Sequence, residues 1–317
     1  MRLICIFSFI HSILALTCYH PPTHMPDTFQ SLEDLKHISG IILIDKPRGP
    51  SSHQVAAWVR ELTGILQVGH TGTLDPGVSG VLVVLLGKAV RLTSILHLDE
   101  KEYVCVLRLH HPVEQERIDA VLTEFTGKIY QRPPRRSAVK RALRIREIHS
   151  IACLDADNLD LLLCVHCDSG TYIRSLCHHI GFALGVGSHM QELRRTVSGG
   201  FREEETHTLH SLADAVHKAQ NGDFSELKHM ILPIEAICSG IPCVFVKDTA
   251  LDAISHGAKV SSRGIISQDS FLNGDTVAVL DSKKKIVCLG KALFDSSKVV
   301  PGEYGLVIAP FLVFRDP

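Results

Sequence analysis

The sequence predicts an α+β fold with a larger mixed part and a smaller, β-rich part at the C-terminal end. Two observations predict it. From about residue 40, apolar runs of strand type alternate with stretches whose apolar residues recur at helical spacing. Beyond about residue 240, short strand-like segments follow one another, separated by turns rich in Gly, Asn, Asp and Lys. The second pattern is typical of a small pseudobarrel.

Composition supports a folded protein with room for more than one domain. The 317 residues suffice for one large or two ordinary domains, and 45% apolar with 21% charged residues is the composition of a globular chain. A net charge of −1 excludes a wholly basic nucleic-acid coat but leaves room for a local basic surface. Ten cysteines without a repeating spacing indicate reduced thiols, not a disulfide framework.

The N-terminal residues are interpreted separately. An apolar run over residues 3–18 follows Arg2 and resembles the apolar part of a signal peptide, and it is short for a membrane span. No convincing cleavage site follows, and Met25 is a plausible alternative start. We interpret residues 1–24 as a misread start or a dispensable extension, with secretion as the less favoured alternative.

The first strands and helices are predicted from apolar spacing and from end signals. Ser51 or Ser52 can begin a helix that runs through Leu62, and Gly64 can end it. The other predicted elements before residue 240 are strands over 40–45, 81–86, 102–109 and 159–167, and helices over 88–97, 114–125 and 171–184. In the C-terminal part we expect strands over 242–246, 259–266, 276–280, 286–293 and 304–309, and a short helix over 247–254.

The stretch 69–80 is the first candidate for a functional site. It holds four glycines, and Asp75 lies between small residues and Pro76, just before a buried apolar run. This arrangement favours a carboxylate held on a tight loop, close to a ligand. The alternative is a turn in which the aspartate only caps the chain, and the residues by themselves leave both open.

Two arginine features suggest an anionic partner. Residues 132–146 hold seven cations and no carboxylate, which favours a phosphate-contacting surface over an ordinary solvated face in a neutral chain. Arg174 falls in the first turn of a predicted helix, where a cation opposes the helix dipole, so an anion nearby is the simplest explanation. The alternative for Arg174 is an ordinary surface arginine.

We expect neither a metal site nor a nucleotide-binding loop. Cys164 and Cys167 have half the spacing of a zinc site, but no second pair follows, and on a strand their thiols would point to opposite faces. The histidines lack a ligand spacing, and neither GxxxxGK[ST] nor GxGxxG occurs.

Five ordered motifs resemble the TruB/dyskerin family of RNA pseudouridine synthases. They are Lys46-Pro47, GHTGTLDP at 69–76, KEYV at 101–104, GTYIRSL at 170–176 and HMQELRRTVSG at 189–199. Residues 132–146 look like the archaeal and eukaryotic guide-RNA-dependent branch, and residues 242–317 look like its PUA domain. Because the chain lacks the long Lys-rich tails of eukaryotic dyskerin, it most resembles an archaeal member.

The resemblance implies a domain organisation. Residues 41–240 would form the catalytic domain, a mixed, mainly antiparallel sheet flanked by helices. Residues 241–317 would form the PUA pseudobarrel, which binds RNA. The segment 25–40 would pack on the PUA domain.

The resemblance also implies the roles of individual residues. Asp75 would be the catalytic carboxylate, which either attacks the sugar or extracts a proton from it. Arg174 would keep that carboxylate ionised, and Tyr103 would stack on the target base and help move a proton. The remaining RNA-binding or loop-supporting positions would be Lys46, His70, Leu193, Arg135, Arg136, Lys140 and Arg144. No metal or organic cofactor would be needed.

The implied function is that of the catalytic subunit of a box H/ACA ribonucleoprotein, which isomerises uridines of rRNA, and of tRNA as a further substrate. Its partners would be a guide RNA, a zinc-ribbon-like subunit, a β-barrel regulatory subunit and a kink-turn-binding subunit. The protein would be cytoplasmic, or nucleolar in a eukaryote, without a membrane partner. The alternatives are a guide-independent tRNA uridine-55 synthase and a non-catalytic RNA scaffold.

Overall fold

The structure is a computed structural model that describes residues 29–96, 100–133, 142–299 and 305–315. The predicted extension 1–24 and the cations Arg135, Arg136 and Lys140 lie outside the described residues. The described chain divides into two compact units, one ending at Pro233 and one beginning at Ile234.

The N-terminal unit is built on one large sheet. Its strands are β1 (Gly40–Lys46), β2 (Val68–Thr71), β3 (Ser79–Leu86), β4 (Lys101–Leu109), β5 (Gly127–Gln131), β6 (Arg144–Asp157), β7 (Asp160–Cys167), β8 (Ser188–Ser198), β9 (Phe201–Arg202) and β10 (Ile231–Leu232). They follow the order β10-β1-β3-β8-β4-β7-β6-β5, with β2 beside β3 and β9 beside β8. Only the β3–β8 pair among these is parallel, so the predicted mixed, mainly antiparallel sheet is confirmed.

Helices cover this sheet and complete its core. They are α1 (Leu32–Lys36), α2 (Ser52–Thr63), α3 (Thr93–Leu96), α4 (Gln115–Glu124), α5 (Ile173–Ala183), α6 (Leu209–Gln220) and α7 (Ser225–Met230). Apolar residues of β1 and β3 pack with α1, α2, α6 and α7 in one cluster, and β4 and β7 pack with α4 and α5 in another. Burial of these apolar side chains is what holds the helices to the sheet.

The predicted elements agree with the structure best where local signals are strong. The Ser51 hydroxyl accepts the Gln54 N–H at 3.1 Å and begins α2, and Gly64 ends it in the left-handed conformation at φ 70°. The predicted helix over 88–97 is a 3₁₀ turn over Gly87–Leu92 followed by the short α3. Strands β5 and β6 are not among the predicted elements.

The segment before β1 belongs to the core of the N-terminal unit. Phe29, Leu35 and Ile38 are buried in the cluster that contains β1 and β3. The Phe29 ring meets that of Phe224 edge to face, with centroids 5.9 Å apart. The expected packing of residues 25–40 on the PUA domain stays a prediction.

The C-terminal unit is β-rich, as predicted. Its strands are β11 (Cys243–Val246), β12 (Val260–Ser261), β13 (Ile265–Gln268), β14 (Thr276–Leu280), β15 (Ile286–Ala292) and β16 (Leu306–Val313), with helix α8 (Leu251–Ser255). The sheet order is β12-β16-β15-β14-β11-β13, and valines and isoleucines of its strands form the core together with Leu251 and Phe271. Cysteines in the described part of the chain are free thiols.

Candidate active site

Asp75 lies in the loop between β2 and β3, at the first position of a tight turn. Its carbonyl accepts the N–H of Val78 at 3.0 Å, with Pro76 and Gly77 between them. Proline at the second turn position presets the backbone for this geometry. The turn leaves the Asp75 side chain 63% exposed, so its carboxylate can meet a ligand from solution.

Two buried side chains bind the backbone of the loop that carries Asp75. The Ser52 hydroxyl donates to the carbonyl of Leu74 at 3.0 Å and accepts its N–H at 2.8 Å. The Lys46 ammonium donates to the carbonyls of Pro47 at 2.9 Å and Val78 at 2.8 Å, and reaches that of Pro76 at 3.4 Å. The backbone on both sides of the aspartate is therefore fixed.

Direct RNA contact by Lys46 is contradicted by its burial. The side chain is 0% exposed, and its ammonium is surrounded by the carbonyls of the loop. Burial lowers the pKa of Lys46, while the negative charge of Asp75 acts in the opposite direction. The prediction that Lys46 binds RNA is wrong in this structure, because no part of the side chain reaches the surface.

Arg174 meets Asp75 although 99 residues separate them in the chain. It projects from the first turn of α5, and its Nη2 donates to the Asp75 Oδ2 at 3.0 Å. The Arg174 side chain is 60% exposed. The anion expected near this helix start is thus the Asp75 carboxylate, which offsets the unfavourable position of a cation at a helix N-terminus.

Tyr103 lies behind the loop on β4, opposite Arg195 on β8. Burial raises the pKa of Tyr103, and the adjacent Arg195 guanidinium opposes the rise through its charge and a hydrogen bond. The phenol is therefore a neutral O–H group at physiological pH. Leu193, two residues before Arg195, is partly buried and packs on the same core cluster as Tyr103.

Arg195 is a buried part of the site that the sequence did not single out. It is 1% exposed, and its Nε and Nη2 donate to the carbonyl of Val81 at 2.8 and 2.7 Å. A Cβ at Gly72 would lie 3.0 Å from the Arg195 guanidinium, and one at Gly80 would lie 2.1 Å from its carbonyl oxygen. These two glycines, both at positive φ, let the loop sit directly on Arg195.

The neighbouring Arg194 has a different environment. Its Nη1 donates to Asp45 at 2.9 Å, and its Nε donates to Glu203 at 2.6 Å. In the sequence both arginines fall within the motif at 189–199, which does not distinguish between them. Strand alternation sends the two side chains to opposite faces of the sheet.

His70 is close to the Asp75 loop, on β2. Its Nε2 lies 3.4 Å from the Thr73 hydroxyl, and its ring meets that of His53 edge to face at 4.6 Å. Burial, with His53 and then Arg195 adding to the effect, lowers the pKa of His70 to about 4. A neutral imidazole therefore lines a cleft of about 390 Å³ formed by His53, Ala56, Ala57, Arg60, Val68, Gly69, His70 and Thr93.

The other predicted positions are less central. Arg144 is half-buried at the first residue of β6, and its three companion cations lie outside the described residues. Within the described ranges, no cluster of histidine, cysteine or carboxylate side chains is arranged to hold a metal ion. The site therefore offers a solvent-facing carboxylate paired with a guanidinium and backed by a neutral phenol.

Comparison with known proteins decides the family. The model of the TruB family pseudouridylate synthase N-terminal domain matches residues 60–173, that of the tRNA pseudouridylate synthase B C-terminal domain matches 174–239, and that of the PUA domain matches 242–310. The chain belongs to the TruB family. This pseudouridine synthase is an isomerase that acts on RNA, and it has a C-terminal PUA domain.

Sequence relatives align with most of this TruB-family chain. The "Probable tRNA pseudouridine synthase B" of Methanothermobacter thermautotrophicus is 46% identical over 284 residues, which is 89% of this chain and 88% of that protein. The protein of the same name from Methanocaldococcus jannaschii is also 46% identical, over 90% of this chain and 86% of its own length.

Two solved structures have the same fold. A chain of the "archaeal box H/ACA sRNP Nop10-Cbf5 complex" superposes with a TM-score of 0.82 at 39% identity, over 93% of this chain and 90% of that one. A chain of a "Cbf5-Nop10-Gar1 Complex" gives 0.83 at 42% identity, over 92% and 91%. Among the described residues of this chain, no helix is long and apolar enough to cross a membrane.

Proposed function

We propose that this pseudouridine synthase is the catalytic subunit of a box H/ACA-type ribonucleoprotein, which isomerises specific uridines of rRNA and also of tRNA. The observation that carries the proposal is structural similarity, at TM-scores of 0.82 and 0.83, to chains solved within H/ACA complexes and over nearly the whole length. Selection of the target by base pairing would leave the protein to bind RNA backbone and shape.

Asp75 is the proposed catalytic carboxylate. Isomerisation breaks the bond between uracil N1 and the sugar, turns the base, joins its C5 to the sugar and releases the C5 proton. Asp75 either attacks the sugar or removes a proton from it, and its exposed carboxylate is open to a bound nucleotide in both cases. The guanidinium of Arg174, 3.0 Å away, stabilises the negative charge that either role requires.

Tyr103 and Leu193 are the proposed contacts of the target base. Both side chains are partly buried and pack on one core cluster, which keeps their positions fixed. A neutral phenol can stack on uracil and exchange a hydrogen-bonded proton without carrying charge. His70, neutral as well, is proposed to lie against the RNA when the target base leaves its stack. Lys46 is proposed to act only by supporting the Asp75 loop.

The partners proposed for this chain follow those of the similar complexes. One solved neighbour is named for Nop10 and Cbf5, a second adds Gar1, and a third is named as an H/ACA ribonucleoprotein bound to a substrate RNA. We propose a guide RNA together with a small zinc-ribbon-like subunit, a β-barrel regulatory subunit and a kink-turn-binding subunit. The particle is proposed to work in the cytoplasm of an archaeal cell.

The basic segment is the proposed backbone-binding surface. Neutralising four of its cations should remove phosphate contacts, each of which contributes to the salt dependence of binding. The slope of log affinity against log salt should become less steep by the contribution of up to about four phosphate contacts. Filter binding at several salt concentrations measures this slope. The variant neutralises Arg135, Arg136, Lys140 and Arg144. The control neutralises Lys36 and Lys218, which pair with glutamates in the same unit. An unchanged slope would make the segment an ordinary solvated face.

The guide-independent tRNA synthase is the second candidate, because the sequence relatives are named tRNA pseudouridine synthase B. Particles reconstituted with and without guide RNA separate the two. Turnover only with guide supports the proposal, whereas equal turnover on bare tRNA supports the second candidate. Asp75→Asn serves as the inactive control in both arms. RNA binding without turnover in either arm would indicate a non-catalytic scaffold.

A further inference from the structure

Close before each member of the Asp75–Arg174 pair lies a residue whose backbone N–H and C=O are both bonded to one buried side chain. On the aspartate side, Ser52 is 0% exposed, and its hydroxyl takes the N–H and the C=O of Leu74, one residue before Asp75. A single oxygen thereby fixes the peptide units on both sides of Leu74.

On the arginine side, the buried group is an amide. Gln131 is 2% exposed and lies at the last residue of β5. Its Oε1 accepts the N–H of Tyr172 at 2.9 Å, and its Nε2 donates to the C=O of Tyr172 at 3.2 Å. Tyr172 is the residue from which α5 begins, two positions before Arg174, and this helix start has no side-chain cap of its own.

The Tyr172 carbonyl also begins the hydrogen-bond ladder of α5. It accepts the N–H groups of Ser175 and Leu176, each at 3.0 Å. The amide of Gln131 therefore connects the first turn of the helix, where Arg174 is located, to the end of β5. A change at Gln131 should therefore turn or loosen that first turn, and with it Arg174, without removing any exposed side chain of the site.

The ion pair itself is too exposed to set its own geometry. Asp75 and Arg174 are 63% and 60% exposed, and ion pairs in solvent contribute little to holding their side chains in place. Catalysis nevertheless needs reacting groups placed to within a fraction of an ångström. The precision must come from the backbone on each side. Besides Lys46, which holds the carbonyls after Asp75, Ser52 and Gln131 are buried polar groups bonded to that backbone.

We propose that Gln131 and Ser52 are positioning residues for the isomerisation, Gln131 acting through Arg174 and Ser52 through Asp75. The inference rests on the proposed roles of Asp75 and Arg174 and is independent of whether a guide RNA is used. Both side chains are buried, so their loss should lower the rate of the chemical step and leave RNA affinity unchanged.

A double-mutant cycle tests the arginine side. Gln131→Ala should slow single-turnover tritium release from 5-tritiated uridine on the order of 100-fold, the cost of a misplaced catalytic group, with filter-binding affinity within about twofold of the wild type. In an Arg174→Ala background the same change should cost little further rate. Hydrogen exchange of the peptide that spans Tyr172–Arg174 should become faster. Gln115→Ala, which removes an exposed side-chain bond to Asp119 on α4, is the control.

Several results would overturn the inference. An equal cost of Gln131→Ala with and without Arg174 would mean that the amide acts on general folding. A wild-type rate in Gln131→Ala, or unchanged exchange at Tyr172, would remove the coupling to the helix. If Gln131→Ala does not fold, Gln131→Met keeps the volume and removes both hydrogen bonds. A wild-type rate in Arg174→Ala would instead refute the proposed role of Arg174, and the inference would fall with it.

The aspartate side has a control in the adjacent residue. Ser52→Ala should lower the single-turnover rate by about tenfold or more at unchanged RNA affinity. Ser51→Ala removes the N-cap of the same helix, whose hydroxyl accepts the Gln54 N–H and does not reach the loop. It should lower thermal stability while leaving the rate at the wild-type value. Equal loss of rate in both variants would show that Ser52 acts only through the stability of α2.

Discussion

Arg174→Lys separates a catalytic role for the Asp75–Arg174 pair from a structural one. The pair is joined by one contact of 3.0 Å between side chains that are 60% and 63% exposed. Exposed pairs of this kind contribute about 0.2–1 kcal/mol, so the free energy of unfolding should fall by less than about 1 kcal/mol. In a unit of this size such a change moves the melting temperature by at most about 4 °C.

The expected effect on rate is much larger. A lysine keeps the charge but not the planar guanidinium that positions it, and loss of one preorganised electrostatic contact costs about 100-fold in rate. Single-turnover tritium release from 5-tritiated uridine measures the rate, and thermal unfolding by circular dichroism measures stability on the same sample. The matched control is Arg108→Lys, which alters another exposed pair, 3.2 Å from Asp160.

The control should show the same small change in melting temperature and a wild-type rate. Two results would refute the reasoning. One is a sharp fall in the melting temperature of Arg174→Lys with an unchanged rate per folded molecule, which would make the pair structural. The other is an equal loss of rate in both variants, which would mean that any change of surface arginine slows this enzyme.

Three further predictions concern the same loop. Asp75→Asn should abolish tritium release with RNA affinity in filter binding near the wild-type value, and wild-type release would contradict its assignment. Lys46→Met leaves the carbonyls of Pro47 and Val78 without their donor, so the urea unfolding free energy should fall by about 2 kcal/mol, and an unchanged midpoint would contradict this. His70 has a pKa of about 4 in the fold against 6.5 as the ordinary value, so its contribution to stability is complete above pH 6.5 and is lost as the pH falls to 4. In His70→Gln, the free energy of unfolding should decrease on acidification by on the order of 2 kcal/mol less than in the wild type, after allowance for partial exposure. Urea titrations in which both proteins lose stability equally as the pH falls would contradict this.

Local signals predicted much of the fold. The capped helix α2 and strand β14 agree closely with the structure, because cap residues and short apolar runs act within a few residues of the chain. Strand β6 is not predicted, because it mixes exposed and half-buried positions and follows a cation-rich stretch. It is a strand because it pairs with β5 and β7, and the residues of β6 do not by themselves indicate that pairing.

For the site, the sequence by itself determined the glycine-rich turn with Asp75 at its start, since turn geometry depends on adjacent residues. It also supplied the motifs that carry Tyr103 and Arg174. Only the tertiary structure decided which cations face inward. Lys46 lies under the loop and Arg195 lies behind it, while Arg174 stays in solvent. Strand alternation predicts that neighbouring side chains point to opposite faces of a sheet. Packing against the other strands and helices decides which face is buried.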